Sequence, residues 1–182
     1  MSLLVAGDSF VKHLEFFQRR FVRENMLIRG EVVKFLGLPG KRVQDLRRLL
    51  CQGGRYRVII ISIGSNDLCN VHRRPTDVVR ELLSLAEHLL CAGTTRVVIC
   101  QLLRRSSTSH FVGLSLPQYN TRIDVTNNLL ENEIHKSANP ALRFWKHHHS
   151  VLGSRRLHTD GVHLTHSGMK GFRRSIIDAL CA

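Results

Sequence analysis

Acids are scarce in this sequence. Fourteen Asp and Glu stand against 27 Lys and Arg, so the 182 residues carry a net charge of +13. A chain this basic attracts polyanions such as RNA, DNA or an anionic membrane surface. Aromatic residues are only 6% of the total. No strand carries an aromatic stacking pattern, so contact with nucleic acid would run through phosphates and weaken steeply with salt. No apolar run approaches the ~18 residues of a membrane span, and residues 1–10 read as a strand, not a secretory signal. Cysteines are few and odd in number, at 51, 69, 91, 100 and 181, without C-x-x-C spacing. That argues against a disulfide framework and a thiolate zinc site, and suits a reducing, intracellular, cytoplasmic setting. The first turn has one glycine where a dinucleotide site needs three. Lys146-His147-His148-His149 lacks the i, i+4 geometry of a helical metal site, so neither metal nor cofactor is expected.

What is present is alternation. Leu3–Ala6 reads as a strand, and residues 10–22 as a helix with Phe10, Leu14, Phe17 and Phe21 on one face. Glu31–Leu36 is a second strand, followed by a short helix carrying Val43, Leu46 and Leu50. Val58–Ile63 is almost continuously apolar and β-branched, which marks a central strand covered on both faces. Pro75-Thr76-Asp77 opens a third helix, and Gly93 lies just past its end. Val97–Leu103 is a fourth strand. A polar loop over 104–116, a helix from Pro117 to Ser137, a strand over Leu142–Lys146, a long loop and a final helix with Met169, Phe172, Ile176 and Leu180 complete the chain. This order implies a single α/β domain over 1–182, with a five-stranded parallel sheet between helical layers and right-handed crossovers. Ligands of such sheets bind beyond the carboxyl ends of the strands.

Three patches fall at that edge. Gly7-Asp8-Ser9 follows the first strand. Ser9 is a candidate N-cap, but the same geometry makes it a nucleophile whose oxyanion would face helix-terminal amides. Gly64-Ser65-Asn66-Asp67 follows the third strand. Asn66 is either a turn residue or a neutral side-chain donor to a tetrahedral oxygen. In Asp160-Gly161-Val162-His163 the D-x-x-H spacing lets one tight turn set the carboxylate on one ring nitrogen and leave the other for a nucleophile. Gly40 can add a backbone N–H from the second loop, with Gly37 close by. A nucleophile, an oxyanion donor and an acid–base pair are most of what acyl transfer needs.

These four blocks, in this order and across nearly the whole chain, resemble those of the SGNH (GDSL-type) hydrolase superfamily. The resemblance implies a three-layer α/β/α, flavodoxin-like fold and hydrolysis of a carboxylic ester through an acyl-enzyme. It implies Ser9, Asp160 and His163 as the triad, and the Ser9 amide, Gly40 amide and Asn66 side chain as the oxyanion hole. Phe10 and Leu164 replace the family's frequent Leu and Pro at positions that do no chemistry. A basic, cysteine-bearing domain of this kind is also similar to the esterase domain in the first open-reading-frame protein of L2/CR1-type LINE retrotransposons. That likeness implies a domain excised from a longer, RNA-binding, self-associating parent.

Lys41 and Arg42 with the pairs Arg73/Arg74, Arg104/Arg105 and Arg155/Arg156 fall in loops assigned to the same edge. They would form a cationic rim for an anionic substrate, phospholipid or nucleic acid, or else lie scattered over unrelated loops. Two functions of different class are therefore expected: an esterase of acetyl, thioester, sugar-ester or lipid substrates, or a basic binding module in which catalysis is secondary.

Overall fold

The computed structural model describes residues 2–22, 26–28, 30–108 and 111–182. Five parallel strands form the sheet: β1 (Ser2–Gly7), β3 (Glu31–Gly37), β4 (Tyr56–Ser62), β5 (Arg96–Cys100) and β6 (Leu142–Trp145). A two-residue strand, β2 (Leu27–Ile28), adds an antiparallel edge to β3, giving the order β2-β3-β1-β4-β5-β6. β1 is central and pairs with both neighbours, Leu3 lying beside Val33 and Val58, with a register shift against β4 between Ser2 and Leu3.

Side-chain alternation along the buried strands divides the core. Leu4, Ala6, Ile59, Ile61, Val97 and Ile99 pack under α2 (Val43–Cys51), α3 (Pro75–Cys91) and α4 (Leu116–Ser137). Leu3, Val5, Val58, Ile60, Val98 and Cys100 pack under α1 (Ser9–Phe17) and α5 (His166–Cys181). The expected three-layer α/β/α sandwich follows, because a parallel strand with two apolar faces needs a helix on each. Among the described residues, no helix is long and apolar enough to cross a membrane.

Two elements end earlier than the sequence implies. α1 stops at Phe17 and gives way to a π turn over Gln18–Val22. The wider turn breaks the i, i+4 register, so Phe21 is 52% exposed instead of inward. Gln18 is buried there and accepts from Arg173 Nε at 2.7 Å. β5 stops at Cys100, short of Leu103, because the Asn127 side chain takes over the backbone of Leu102. Asn127 accepts from the Leu102 amide at 2.8 Å and donates to its carbonyl at 3.0 Å. The chain is thereby lifted off the sheet, with Leu102 and Leu103 still buried.

In the parallel part of the sheet, the direction of strand addition reverses between β1 and β4. Crevices in open α/β sheets form beyond the carboxyl ends of two such strands.

Candidate active site

The Ser9 side is built first by β1. The Asp8 amide donates to the Ser62 carbonyl at 3.1 Å, so the chain leaves the sheet still tied to β4. Asp8 Oδ1 then accepts from the Phe10 amide at 3.1 Å, which makes Asp8 the cap of α1 and Ser9 its first residue. Ser9 is thus released from capping. Among the described residues its hydroxyl has no hydrogen-bond partner. It lines a cleft of about 360 Å³ shared with Gly40, Asn66, Arg105, Val162 and His163.

Asn66, just past β4, is held from two sides. Its Oδ1 accepts from Arg105 Nη2 at 2.9 Å, and its Nδ2 donates to the Lys41 carbonyl at 3.0 Å. A guanidinium can only donate and a peptide carbonyl can only accept, so the amide has one possible orientation. Nδ2 carries two hydrogens. The second stays uncommitted on a residue that lines the cleft, and it is the donor an oxyanion requires. Of the two candidate glycines, Gly37 at the end of β3 and Gly40 beyond it, Gly40 has φ +71°, open space at its Cβ position and a place on the cleft wall. Gly37 is packing: a Cβ there would sit on the Lys12 backbone of α1.

Beneath the cleft Ser65 Oγ donates to Asp8 Oδ2 at 3.0 Å, and Tyr119 Oη donates to the Ser65 carbonyl at 3.2 Å. Burial pushes the Asp8 pKa up, against the Phe10 amide, the Ser65 hydroxyl and the charge of Arg105, which pull it down. Asp67, next in the block, turns away from the cleft and accepts from the Val43 amide of α2 at 3.2 Å. Burial raises its pKa to about 6.

The acid–base pair is assembled by one turn. Asp160 Oδ2 meets His163 Nδ1 at 2.7 Å, while Oδ1 accepts from the Val162 and His163 amides at 2.8 and 2.9 Å. Desolvation works to raise the Asp160 pKa. The Val162 amide, the His163 ring and the His163 amide outweigh it and hold the carboxyl at about 2. An ionised Asp160 fixes the proton on Nδ1 and leaves Nε2 bare to accept one. Gly161 makes the turn possible, with φ +68° and no room for a Cβ, which would meet Ser107 Cβ at 2.5 Å. The Gly161 carbonyl accepts from the Ser106 amide at 2.8 Å, docking the turn on the segment after β5.

Ser9, Gly40, Asn66 and His163 therefore line one cleft, with Asp160 behind the histidine. The cationic rim is not assembled as a continuous band. Arg105 is 5% exposed and lies under the cleft, not on its edge. Its loop leaves the sheet at Cys100, and reciprocal bonds with the Asn120 side chain (3.0 Å each) turn it inward. Arg42 also lines the cleft. Lys41 is exposed, and its carbonyl serves Asn66. Arg73 is drawn to Glu81 at 2.7 Å and to Asp67 at 3.5 Å, and Arg104 to Asp124 at 2.9 Å from Nε. Arg74 and Arg155 are exposed away from the cleft lining, and Arg156 bonds Ser167. Two histidines of the run bond to α5. His147 is buried with Nδ1 at 2.9 Å from Ser175 Oγ, and His148 Nε2 meets Asp178 at 2.9 Å.

Sequence reasoning missed His13, whose ring stacks on His163 at 4.4 Å between centroids. The signal was available, since His13 is four residues beyond Ser9 and shares its helix face. Burial, then the neighbouring His163, lowers the His13 pKa. Cys69, Asn70 and Val112 also line the cleft without any sequence signal.

No family model and no curated protein matches the chain. Solved structures do. A GDSL-like lipase from Bacteroides thetaiotaomicron superposes with a TM-score of 0.76 at 14% identity, covering 98% of this chain and 87% of its own. A carbohydrate esterase family 3 protein from Talaromyces cellulolyticus gives 0.72 at 14%, covering 100% and 97%. The psychrotrophic esterase EstA from Pseudoalteromonas, inhibited by monoethylphosphonate, gives 0.67 at 13%, covering 99% and 96%. The chain shares the fold of GDSL-type lipases and esterases.

Proposed function

We propose that this chain is a serine esterase that hydrolyses carboxylic esters through an acyl-enzyme. The observation that carries the reading is the Asp160–His163 pair, 2.7 Å apart, set on the same cleft as the unpartnered hydroxyl of Ser9 and the free N–H of Asn66. Ser9 Oγ attacks the ester carbonyl while His163 Nε2 takes the hydroxyl proton, and Asp160 stabilises the imidazolium. The carbonyl oxygen becomes an oxyanion held by Asn66 Nδ2 and by the Ser9 and Gly40 amides. Collapse of this intermediate breaks the bond to the alcohol, which leaves with the proton from His163. Water, deprotonated by His163, then attacks the acyl-Ser9 ester and releases the acid. A cleft of about 360 Å³ favours an acetyl or other short acyl group, or a lipid acyl chain presented from a surface. A fluorophosphonate should add its phosphonyl group to Ser9, read by peptide mass, and leave Ser9→Ala unmodified. Absence of the adduct on an otherwise folded wild-type protein would overturn the mechanism.

A second role rests on the charge. The side chains of Arg42, Arg74 and Arg155 form no ion pair among the described residues, on a chain of net charge +13. They suit a phosphate-bearing polyanion, RNA above all, as in an RNA-binding, self-associating retrotransposon parent of the L2/CR1 type. Five cysteines, odd in number and without C-x-x-C spacing, suit a cytoplasmic setting. RNA affinity should fall steeply between about 50 and 200 mM salt and be the same in Ser9→Ala. Salt-independent or undetectable binding would remove this role.

A further inference from the structure

Arg105 is a buried cation, 5% exposed, with no direct ion pair among the described residues. Its donors go instead to neutral acceptors: Asn66 Oδ1 at 2.9 Å, Ser65 Oγ at 3.4 Å and Cys69 Sγ at 3.1 Å. The Tyr119 ring lies beneath the guanidinium, 5.2 Å from its carbon. Burying a guanidinium costs several kcal/mol unless something negative compensates it. The resident carboxylate in the network, Asp8, is reached only through Ser65, which donates to it at 3.0 Å.

Each side-chain hydrogen bond of Arg105 falls on or just beyond the block that carries Asn66. Ser65 and Asn66 are direct partners, and Cys69 lies three residues on. The loop that brings Arg105 there is pinned at both backbone groups by Asn120 and at the next amide by Gly161. Ser106 thus ties Arg105 to the turn that carries His163, and Arg105 ties that turn to Asn66. A structural arginine needs no such address.

We propose that Arg105 is the positioning residue of the oxyanion hole. It pins the Asn66 carbonyl oxygen so that the amide donor faces the cleft, and its charge polarises that amide toward the developing oxyanion. Asp8, one hydroxyl away through Ser65, offsets part of the guanidinium charge, and the oxyanion formed during the reaction meets the rest through a single neutral amide. This inference rests on the esterase reading and adds to it a full positive charge behind the Asn66 amide, beside the partial charges of the backbone N–H groups. Arginine suits the task because it stays charged and offers several donors in a fixed plane, whereas a lysine ammonium can meet Asn66 Oδ1 but cannot also span Ser65 and Cys69.

The test compares wild type with Arg105→Lys, Arg105→Met, Asn66→Ala and the Arg105→Met/Asn66→Ala double variant on p-nitrophenyl acetate. Arg105→Met should lower kcat about 10- to 100-fold with KM within about 2-fold, less than the about 10²–10³ of losing the donor itself. Arg105→Lys should recover part of the loss. The double variant should be no slower than Asn66→Ala, because a residue that acts through Asn66 has nothing to act on once Asn66 is gone. Additive losses, or a change confined to KM, would overturn the inference while leaving the esterase standing. A second readout does not need turnover. The two side-chain N–H signals of Asn66 in a ¹⁵N spectrum should be sharp and separate in wild type, and averaged or shifted in Arg105→Met. If wild type proves inactive, the esterase reading fails by itself, and an Asn66 signal unmoved by Arg105→Met would still reject the positioning role.

Discussion

The two halves of the site are built in opposite ways. The half proposed to hold the oxyanion is rooted in the interior: Asp8, Ser65 and Arg105 are 2%, 2% and 5% exposed, and their bonds join loops that follow three different strands. The half proposed for acid–base work is local. Asp160 and His163 have side chains 47% and 30% exposed, and all three of the Asp160 bonds close within four residues. The difference fits the tasks. An oxyanion is stabilised by dipoles that do not reorganise, which a packed interior provides. A histidine that must gain and lose a proton gains from contact with solvent, and one buried like His147 has its pKa driven down to about 3.

If that division is right, damage to the local half should abolish activity without unfolding the protein. His163→Ala should lower kcat/KM on the order of 10⁴-fold or more, and Asp160→Asn by a similar factor, with thermal midpoints close to wild type. Damage to the interior half should mix the two effects. Asn66→Ala should cost about 10²–10³ in kcat, while Asp8→Ala should cost about 1–3 kcal/mol of stability because the α1 cap and a buried acceptor for Ser65 go together. Gly161→Ala lies between them. It forces a positive φ and a clash with Ser107, so chemical denaturation should show a loss of about 1–3 kcal/mol along with a displaced His163.

The smallest effect is in pH. Asp67 has its pKa raised from 3.8 to about 6, so the folded protein holds that proton more tightly than the unfolded chain does. Its contribution to stability is full below about pH 3.8 and is lost as pH rises through about 6. Asp160 runs the other way: its pKa of about 2 means that its contribution is present above pH 3.8 and lost as pH falls through 2. Thermal midpoints from pH 3.5 to 7 should therefore fall less in Asp67→Asn than in wild type. Parallel curves would show that Asp67 does not titrate in this window.

Sequence patterns reached the fold because both faces of β1 and β4 are apolar and the helices repeat at 3.6 residues. Phe21 was misplaced because nothing in residues 17–22 distinguishes a π turn from another α turn. The meeting of Ser9, Asn66 and His163 on one cleft, with Asp160 behind the histidine, was legible because it depends on spacing within short blocks at strand ends. Arg105 was legible only as a charge. Its inward turn depends on Asn120 and Asn127 of α4, more than ten residues away, and no local spacing records that. His13 shows the converse, a local i, i+4 relation that was present and unused.

Hydrolysis of p-nitrophenyl acetate, butyrate and octanoate by wild type and Ser9→Ala, at matched folded concentration, bears most directly on the esterase. Turnover that falls from acetate to octanoate and vanishes in Ser9→Ala is the expected result. Equal rates in the two proteins would contradict a Ser9 acyl-enzyme and leave a basic α/β domain whose cleft serves another purpose.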